Sequence, residues 1–186
     1  MGETAVRRMT VAEFFDWEPG DDRRYELVDG VPVMMTGARN RHGDVVVNTI
    51  GSLGNKLAGS PCRAFMSDTA VLIPNGNVRR PDAGVVCGPR KDDAMHADAP
   101  RLVIEVLSPS TREFDMGGKC DEYKTIDSLN HIVLVDPDEP QVTHWFRAED
   151  RAWRQQGYKG LGAVIAFPDL DIAISLGELY RGLDFT

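Results

Sequence analysis

The chain has 186 residues, 42% apolar and 27% charged, with 18 glycines and 11 prolines, a globular balance that excludes fibrous, collagen-like and disordered chains. No apolar run reaches the roughly 18–20 residues of a membrane span, and residues 1–20 lack the apolar segment of a secretory signal, so one cytoplasmic domain over residues 1–186 is expected. The net charge is −8, and residues 1–60, 61–130 and 131–186 are each acidic; this counts against strong nucleic-acid binding by phosphate neutralisation alone, but not against a site that meets phosphate through metal ions.

Thr10-Val11-Ala12-Glu13 has capping-box spacing and predicts a short helix carrying Phe14, Phe15 and Trp17, broken by Pro19-Gly20. Asp29-Gly30, flanked by Tyr25-Glu26-Leu27-Val28 and by residues 31–35, predicts a hairpin with a two-residue turn. From His42 to Ala58, Val46, Ile50, Leu53 and Leu57 recur at helical spacing until Gly59-Ser60-Pro61. Strands are expected over residues 63–66, 69–73 and 82–87, with a polar turn at 74–77 and a charged loop at 89–100. Residues 102–107 form the most apolar stretch and read as a central strand. Residues 112–126 read as a helix that stacks Asp115, Lys119 and Tyr123 four apart on one face, and residues 131–135 as the next strand. Alternation over 142–147 and 153–158 predicts a β-ribbon that closes the core. Ser175-Leu176-Gly177-Glu178 repeats the capping-box spacing before a last short helix. Cys62, Cys87 and Cys120 lack metal-ligand spacing and read as buried small apolar residues.

Glu105 is the anomaly in the central strand. An unpaired buried carboxylate costs several kcal/mol, so it requires a cation, a metal or a proton. Asp82 follows Arg80-Pro81 at the entrance of another expected strand. If the two strands are neighbours, both acids can converge on Mg²⁺, which prefers oxygen ligands. Lys119, one turn from Asp115, can fold back toward the same point. Two acids and a lysine suit phosphodiester cleavage, with the lysine orienting a water or holding developing negative charge. The bland alternatives are an arginine-paired Glu105, a turn residue at Asp82 and an exposed Asp115–Lys119 ion pair.

Pro81-Asp82, then Leu102-Val103-Ile104-Glu105-Val106-Leu107-Ser108-Pro109-Ser110-Thr111, then Asp115, Lys119 and Tyr123 four apart, together resemble the PD-(D/E)XK nuclease superfamily. Within it the chain is similar to the bacterial Uma-type restriction endonuclease family, over roughly residues 9–180. The resemblance implies an α/β fold with a restriction-endonuclease-like core, a mixed sheet and flanking helices, a divalent metal (Mg²⁺ or Mn²⁺), and hydrolysis of nucleic acid, with DNA the expected substrate. By position, Asp82 and Glu105 match metal ligands, Glu26 an additional acid, and His42 the opening of a helix beside the site. The superfamily's usual lysine falls at Leu107, which cannot serve; Lys119 is the matching position in the Uma-type branch and Lys124 the stand-in. Two other readings stand beside this one: a nuclease fold without turnover that binds nucleic acid or a protein, and a metal hydrolase acting on another phosphate. A homodimer would suit cleavage of both strands of a duplex.

Overall fold

The computed structural model describes residues 8–109, 112 and 115–185. Ser110 and Thr111 of the motif, and positions 113 and 114 of the expected helix, lie outside the described residues. The chain begins with helix α1 (Val11–Asp16), which carries the expected capping box. Strands β1 (Tyr25–Val28) and β2 (Val31–Met34) follow, with both turn residues at positive φ, Asp29 at 49° and Gly30 at 77°. That is the backbone a type I′ turn requires and the reason an Asp-Gly pair suits it. Helix α2 (Asn40–Lys56) starts two residues before His42, so the histidine lies in its first turn rather than opening it. Its buried residues Val45, Thr49, Ser52 and Leu53 fall on one helical face.

The main sheet has six strands: β3 (Cys62–Met66), β6 (Ala83–Cys87), β7 (Pro100–Val106), β8 (His131–Asp136), β9 (Gln141–Arg147) and β10 (Trp153–Lys159), in the spatial order β10-β9-β8-β7-β6-β3. Only the β7–β8 pair in it is parallel. The crossover between those two strands is a π-helical turn (Asp115–Lys119) running into α3 (Cys120–Lys124), in place of the single regular helix expected over 112–126. β9 and β10 form the expected antiparallel ribbon, which extends the main sheet at one edge.

Strand β7 is buried on both faces, and period-two alternation sorts its side chains. Leu102, Ile104 and Val106 pack with Val45 and Leu53 of α2 and with Leu57 at its C-cap, whereas Val103 and the following Leu107 pack with Cys120 and Tyr123 of α3. The parallel partner β8 divides likewise, with Val133 and Val135 toward α2 and Ile132 and Leu134 toward α3.

A second sheet has the order β2-β1-β5-β4, built on β4 (Val71–Leu72) and β5 (Val78–Arg79). Thus the expected strand over 69–73 shrinks to two residues, and a strand absent from the sequence reading, β5, pairs with β1. A third, two-stranded sheet, β11 (Val164–Phe167) with β12 (Ile172–Ser175), covers the α2 face of the core and leads into α4 (Leu176–Leu179) behind the second capping box. The cysteine expectation holds for buried Cys120 alone. Cys62 and Cys87 are cross-strand neighbours on β3 and β6 and are joined by a disulfide. Among the described residues no helix is long and apolar enough to cross a membrane.

Candidate active site

Glu105 shares the strand parity of Val103 and Leu107, so its carboxylate enters the layer under the crossover. There the Lys119 ammonium lies 2.8 Å from Oε1, and the Tyr123 hydroxyl donates to the same oxygen at 2.7 Å. The Lys119 Nζ is also 3.2 Å from Glu26 Oε1 and 3.9 Å from Asp115 Oδ1. One ammonium therefore faces three carboxylates, and all four residues are buried. The wider π turn aims Asp115 and Lys119 into one gap, while α3 adds Tyr123 a turn later.

The electrostatics follow from this packing. Burial pushes the Glu105 carboxyl up to about 8; Lys119 opposes the rise, and the charges of Asp82, Asp115 and Glu26 add to it. For Lys119 burial acts downward, but Glu105, Glu26 and Asp115 outweigh it and hold the ammonium above the ordinary lysine value. Lys119 therefore keeps its proton and acts as a fixed positive charge, not a base. Burial works against ionised Glu26 as well, yet Lys119, the Arg80 backbone N–H and Arg79 together hold it below the usual carboxylate value.

Asp82 stands just before β6. The β6–β7 register pairs Ala83 with Ile104, and one step further sets Asp82 opposite Glu105. The Val106 backbone N–H donates to Asp82 Oδ2 at 2.8 Å, and His42 Nε2 is 3.4 Å from that oxygen. Burial alone would lower the His42 value; the bond and charge of Asp82, a bond to the Val106 backbone and the charge of Asp115 together outweigh burial and raise it. The five residues singled out in the sequence, Glu26, His42, Asp82, Glu105 and Lys119, thus meet at one end of the β6–β7 pair. Lys124 does not join them, because its ammonium is 3.0 Å from Asp121 and 3.6 Å above the Trp145 ring.

The donor set fits a hard divalent cation. Among the described residues Asp82 Oδ1 and Glu105 Oε2 accept no hydrogen bond and join no ion pair, so two opposed carboxylates each keep one oxygen to give. Mg²⁺ is ordinarily held by one or two carboxylates and retains several waters. Among the described residues no group of three or more His, Cys, Asp or Glu side chains could hold a metal, so protein ligation would rest on this pair.

The sequence reading missed the support behind Glu26. Arg79, 1% exposed, reaches Glu26 Oε2 at 3.1 Å and Glu122 Oε2 at 2.6 Å. Asn77 donates to Glu122 Oε1 at 2.6 Å and accepts from the Asp29 N–H at 2.7 Å, tying the hairpin turn to α3. The available signal was a charged residue in the short apolar-polar run just before Arg80-Pro81-Asp82.

A family model described as "Putative restriction endonuclease", Uma2, matches residues 11–177. Two proteins of Synechocystis sp. are similar along their lengths. Uncharacterized protein slr1290 is 28% identical over 180 residues, covering 96% of this chain and 94% of that one; uncharacterized protein sll1609 is 27% identical over 168 residues, covering 88% and 95%. A crystal structure of "a putative nuclease belonging to DUF820" from Anabaena variabilis shares the fold, with a TM-score of 0.73 over 92% of this chain and 97% of that chain at 18% identity. With the match running from α1 into α4 and enclosing every residue of the site, the chain belongs to the Uma2 family of restriction-endonuclease-like proteins.

Proposed function

We propose that the protein is a divalent-metal-dependent endonuclease that hydrolyses nucleic-acid phosphodiesters, with DNA as its substrate. The observation that carries this reading is the cross-strand placement of Asp82 and Glu105, each with a spare oxygen, beside a lysine that retains its proton. The restriction-endonuclease description of the family, and the fold shared with the Anabaena protein described as a nuclease, support the nuclease class.

Asp82 and Glu105 would hold Mg²⁺ or Mn²⁺, which supplies polarisation of a phosphoryl oxygen and a water acidic enough to attack near neutral pH. Tyr123 and Lys119 occupy Glu105 Oε1, and the Val106 N–H and His42 occupy Asp82 Oδ2, so the two remaining oxygens are oriented before any ligand arrives. Lys119 supplies positive charge where the phosphorane accumulates negative charge, and Glu26 and Asp115 fix the ammonium in place. His42, in the first turn of α2, is held toward its charged form by Asp82 at the same end.

The test is cleavage of single- and double-stranded DNA and RNA with Mg²⁺ or Mn²⁺. Glu105→Gln and Lys119→Ala are each expected to lower the rate by about 100-fold or more, the scale of losing one preorganised charge at a transition state. Rates equal to the parent's would overturn the assignment. A second reading, a nuclease fold that binds without turnover, draws on the three carboxylates that already offset Lys119 and on the net charge of −8. Calorimetric titration with Mn²⁺ separates the two, since the enzyme must take up the ion and the binding module need not. Paired cleavage of a duplex would further suit a homodimer, which sedimentation of the full chain with a duplex checks.

A further inference from the structure

A second cleft opens beside the carboxylate site, between α1 and β1. It has a volume of about 230 Å³, and its walls include Phe15, Trp17, Tyr25, Arg23, Arg24 and Arg80. The Trp17 and Tyr25 rings meet edge-to-face at 4.9 Å, leaving both half-buried. The cationic side is not balanced. Arg24 pairs with Asp68 at 2.9 Å, and Arg23 stands 4.0 Å from Asp21 with 64% of its side chain exposed. The Arg80 guanidinium donates to the carbonyls of Tyr25 at 3.0 Å and Asp68 at 2.7 Å. No carboxylate among the described residues lies in ion-pair contact with Arg80. Three guanidiniums thus face two carboxylates, a local positive surplus on a chain of net charge −8.

The cleft and the candidate active site share a wall. Tyr25 and Glu26 are consecutive residues of β1 and point to opposite faces, while the Arg80 N–H donates to Glu26 Oε1 at 2.8 Å and its side chain lines the cleft. A volume of this size holds one ring system, not a duplex. Half-exposed aromatic rings beside guanidinium groups are the surface on which unstacked bases settle, with arginine serving both the phosphate and the ring face.

We propose that this cleft binds one unstacked nucleotide of the substrate strand, its base against Trp17 and its flanking phosphates on Arg23 and Arg80, so that the neighbouring phosphodiester lies over Asp82 and Glu105. The inference rests on the nuclease reading for the position of the scissile bond. It adds a strand-holding subsite that explains how an acidic protein retains a polyanion.

The test uses the full chain carrying Glu105→Gln, so that the strand stays intact, with a short fluorescein-labelled single-stranded oligodeoxynucleotide followed by anisotropy. Adding Trp17→Leu is expected to weaken binding about 10-fold, within the range for one lost base stack. Arg23→Glu, an exposed change that leaves the core intact, is expected to weaken binding and to reduce the slope of log Kd against log salt by about 0.7, one phosphate contact on a single strand. Tryptophan emission should be quenched on binding in the parent and not in the Trp17→Leu variant. Unchanged affinity in both variants, or no binding of the strand by the Glu105→Gln chain, overturns the cleft assignment. The two readings fail separately. If both cleft variants bind normally while Glu105→Gln abolishes cleavage, the cleft falls and the nuclease stands; if the cleft variants lose binding while the parent cleaves nothing with either metal, the reverse holds.

Discussion

Glu105 shows how a charged residue is kept in an apolar strand. Its neighbours along β7 are buried aliphatic residues, and what keeps it there is one ammonium and one phenol on a single oxygen. Arg79 serves the outer acids in the same manner. It is fully buried between Glu26 and Glu122, and removing one partner of such a set leaves uncompensated charge in a low-dielectric interior. Arg79→Met is expected to destabilise the fold by about 3–5 kcal/mol, read from urea unfolding midpoints. The exposed Arg39–Asp138 pair, at 2.8 Å, is the control, and Arg39→Ala should change stability by no more than about 1 kcal/mol. The contrast between these residues also explains what was readable in the sequence. Glu105 stands out because no other charge interrupts residues 102–107, and Asp82 because a proline precedes it at a strand entrance. Lys119 shares a four-residue spacing with Asp115. Arg79 carries only the weak local mark of a charge just before Arg80-Pro81-Asp82, and nothing local joins it to Glu122, 43 positions away, which it meets through tertiary packing.

Elements were readable where one short segment carries the whole signal. Both capping boxes form as their spacing requires, Thr10 with Glu13 and Ser175 with Glu178. The second does more than end an orphan row of amides. Burial would raise the Glu178 value, but the Ser175 N–H, Lys56, Ser175 and Ser52 bonds bring it down to about 2, so this acid also ties α4 to α2. Ser175→Ala is expected to cost about 0.5–2 kcal/mol by thermal or urea denaturation. Elements were unreadable where the signal is tertiary. Two-residue strands such as β4 and β5 are too short to show alternation, and their pairing follows from the hairpin packed beside them. The π turn keeps Asp115 and Lys119 on one side while breaking the regular helical period over 112–126. Gly84 belongs to the same class. A side chain there would run into the Phe65 ring and come within 2.7 Å of the Leu102 carbonyl, so β3, β6 and β7 close only over a glycine. Gly84→Ala should lower stability by about 1–3 kcal/mol, the scale of overpacking a dense core, and the same denaturation curves measure it.

Across the whole molecule, a buried polar relay fastens the third sheet to the main one. Asp169, between β11 and β12, accepts from Arg101 and Asn130 on Oδ2 and bonds His131 Nε2 through Oδ1 at 2.5 Å; His131 Nδ1 lies 2.9 Å from His144 Nε2. The chain stops there, because His144 Nδ1 is buried with no partner among the described residues, and the Phe146, Tyr158 and Phe167 rings surround it. Protonated on both nitrogens, His144 would bury an N–H without an acceptor. Burial, with His131 adding, accordingly pushes its value down to about 3. An unfolded histidine titrates near 6.5. Between these values the unfolded chain binds a proton that the folded chain refuses, so His144 contributes its full stability above about pH 6.5 and loses it progressively as the pH falls toward 3. Asp169 acts in the same direction at lower pH. Burial would raise its carboxyl, but the bonds from His131, Asn130 and Arg101 hold it well below the usual carboxylate range, and that stability is lost once acid reaches it. The relay is therefore expected to cost about 1–2 kcal/mol of stability from pH 7 to pH 5, since each pH unit across the window is worth about 1.4 kcal/mol per proton before relaxation discounts it. The raised Glu105 carboxyl acts in the opposite direction over the same range, so the relay is read as a difference between two chains. His144→Gln keeps an amide against His131 Nδ1 and removes the titrating ring. Its urea midpoint should be lower than the parent's at pH 7, and the gap should narrow by the equivalent of about 1–2 kcal/mol down to pH 5. A variant that follows the parent's slope over that range would move the acid sensitivity away from this relay and onto the other carboxylates of an acidic chain.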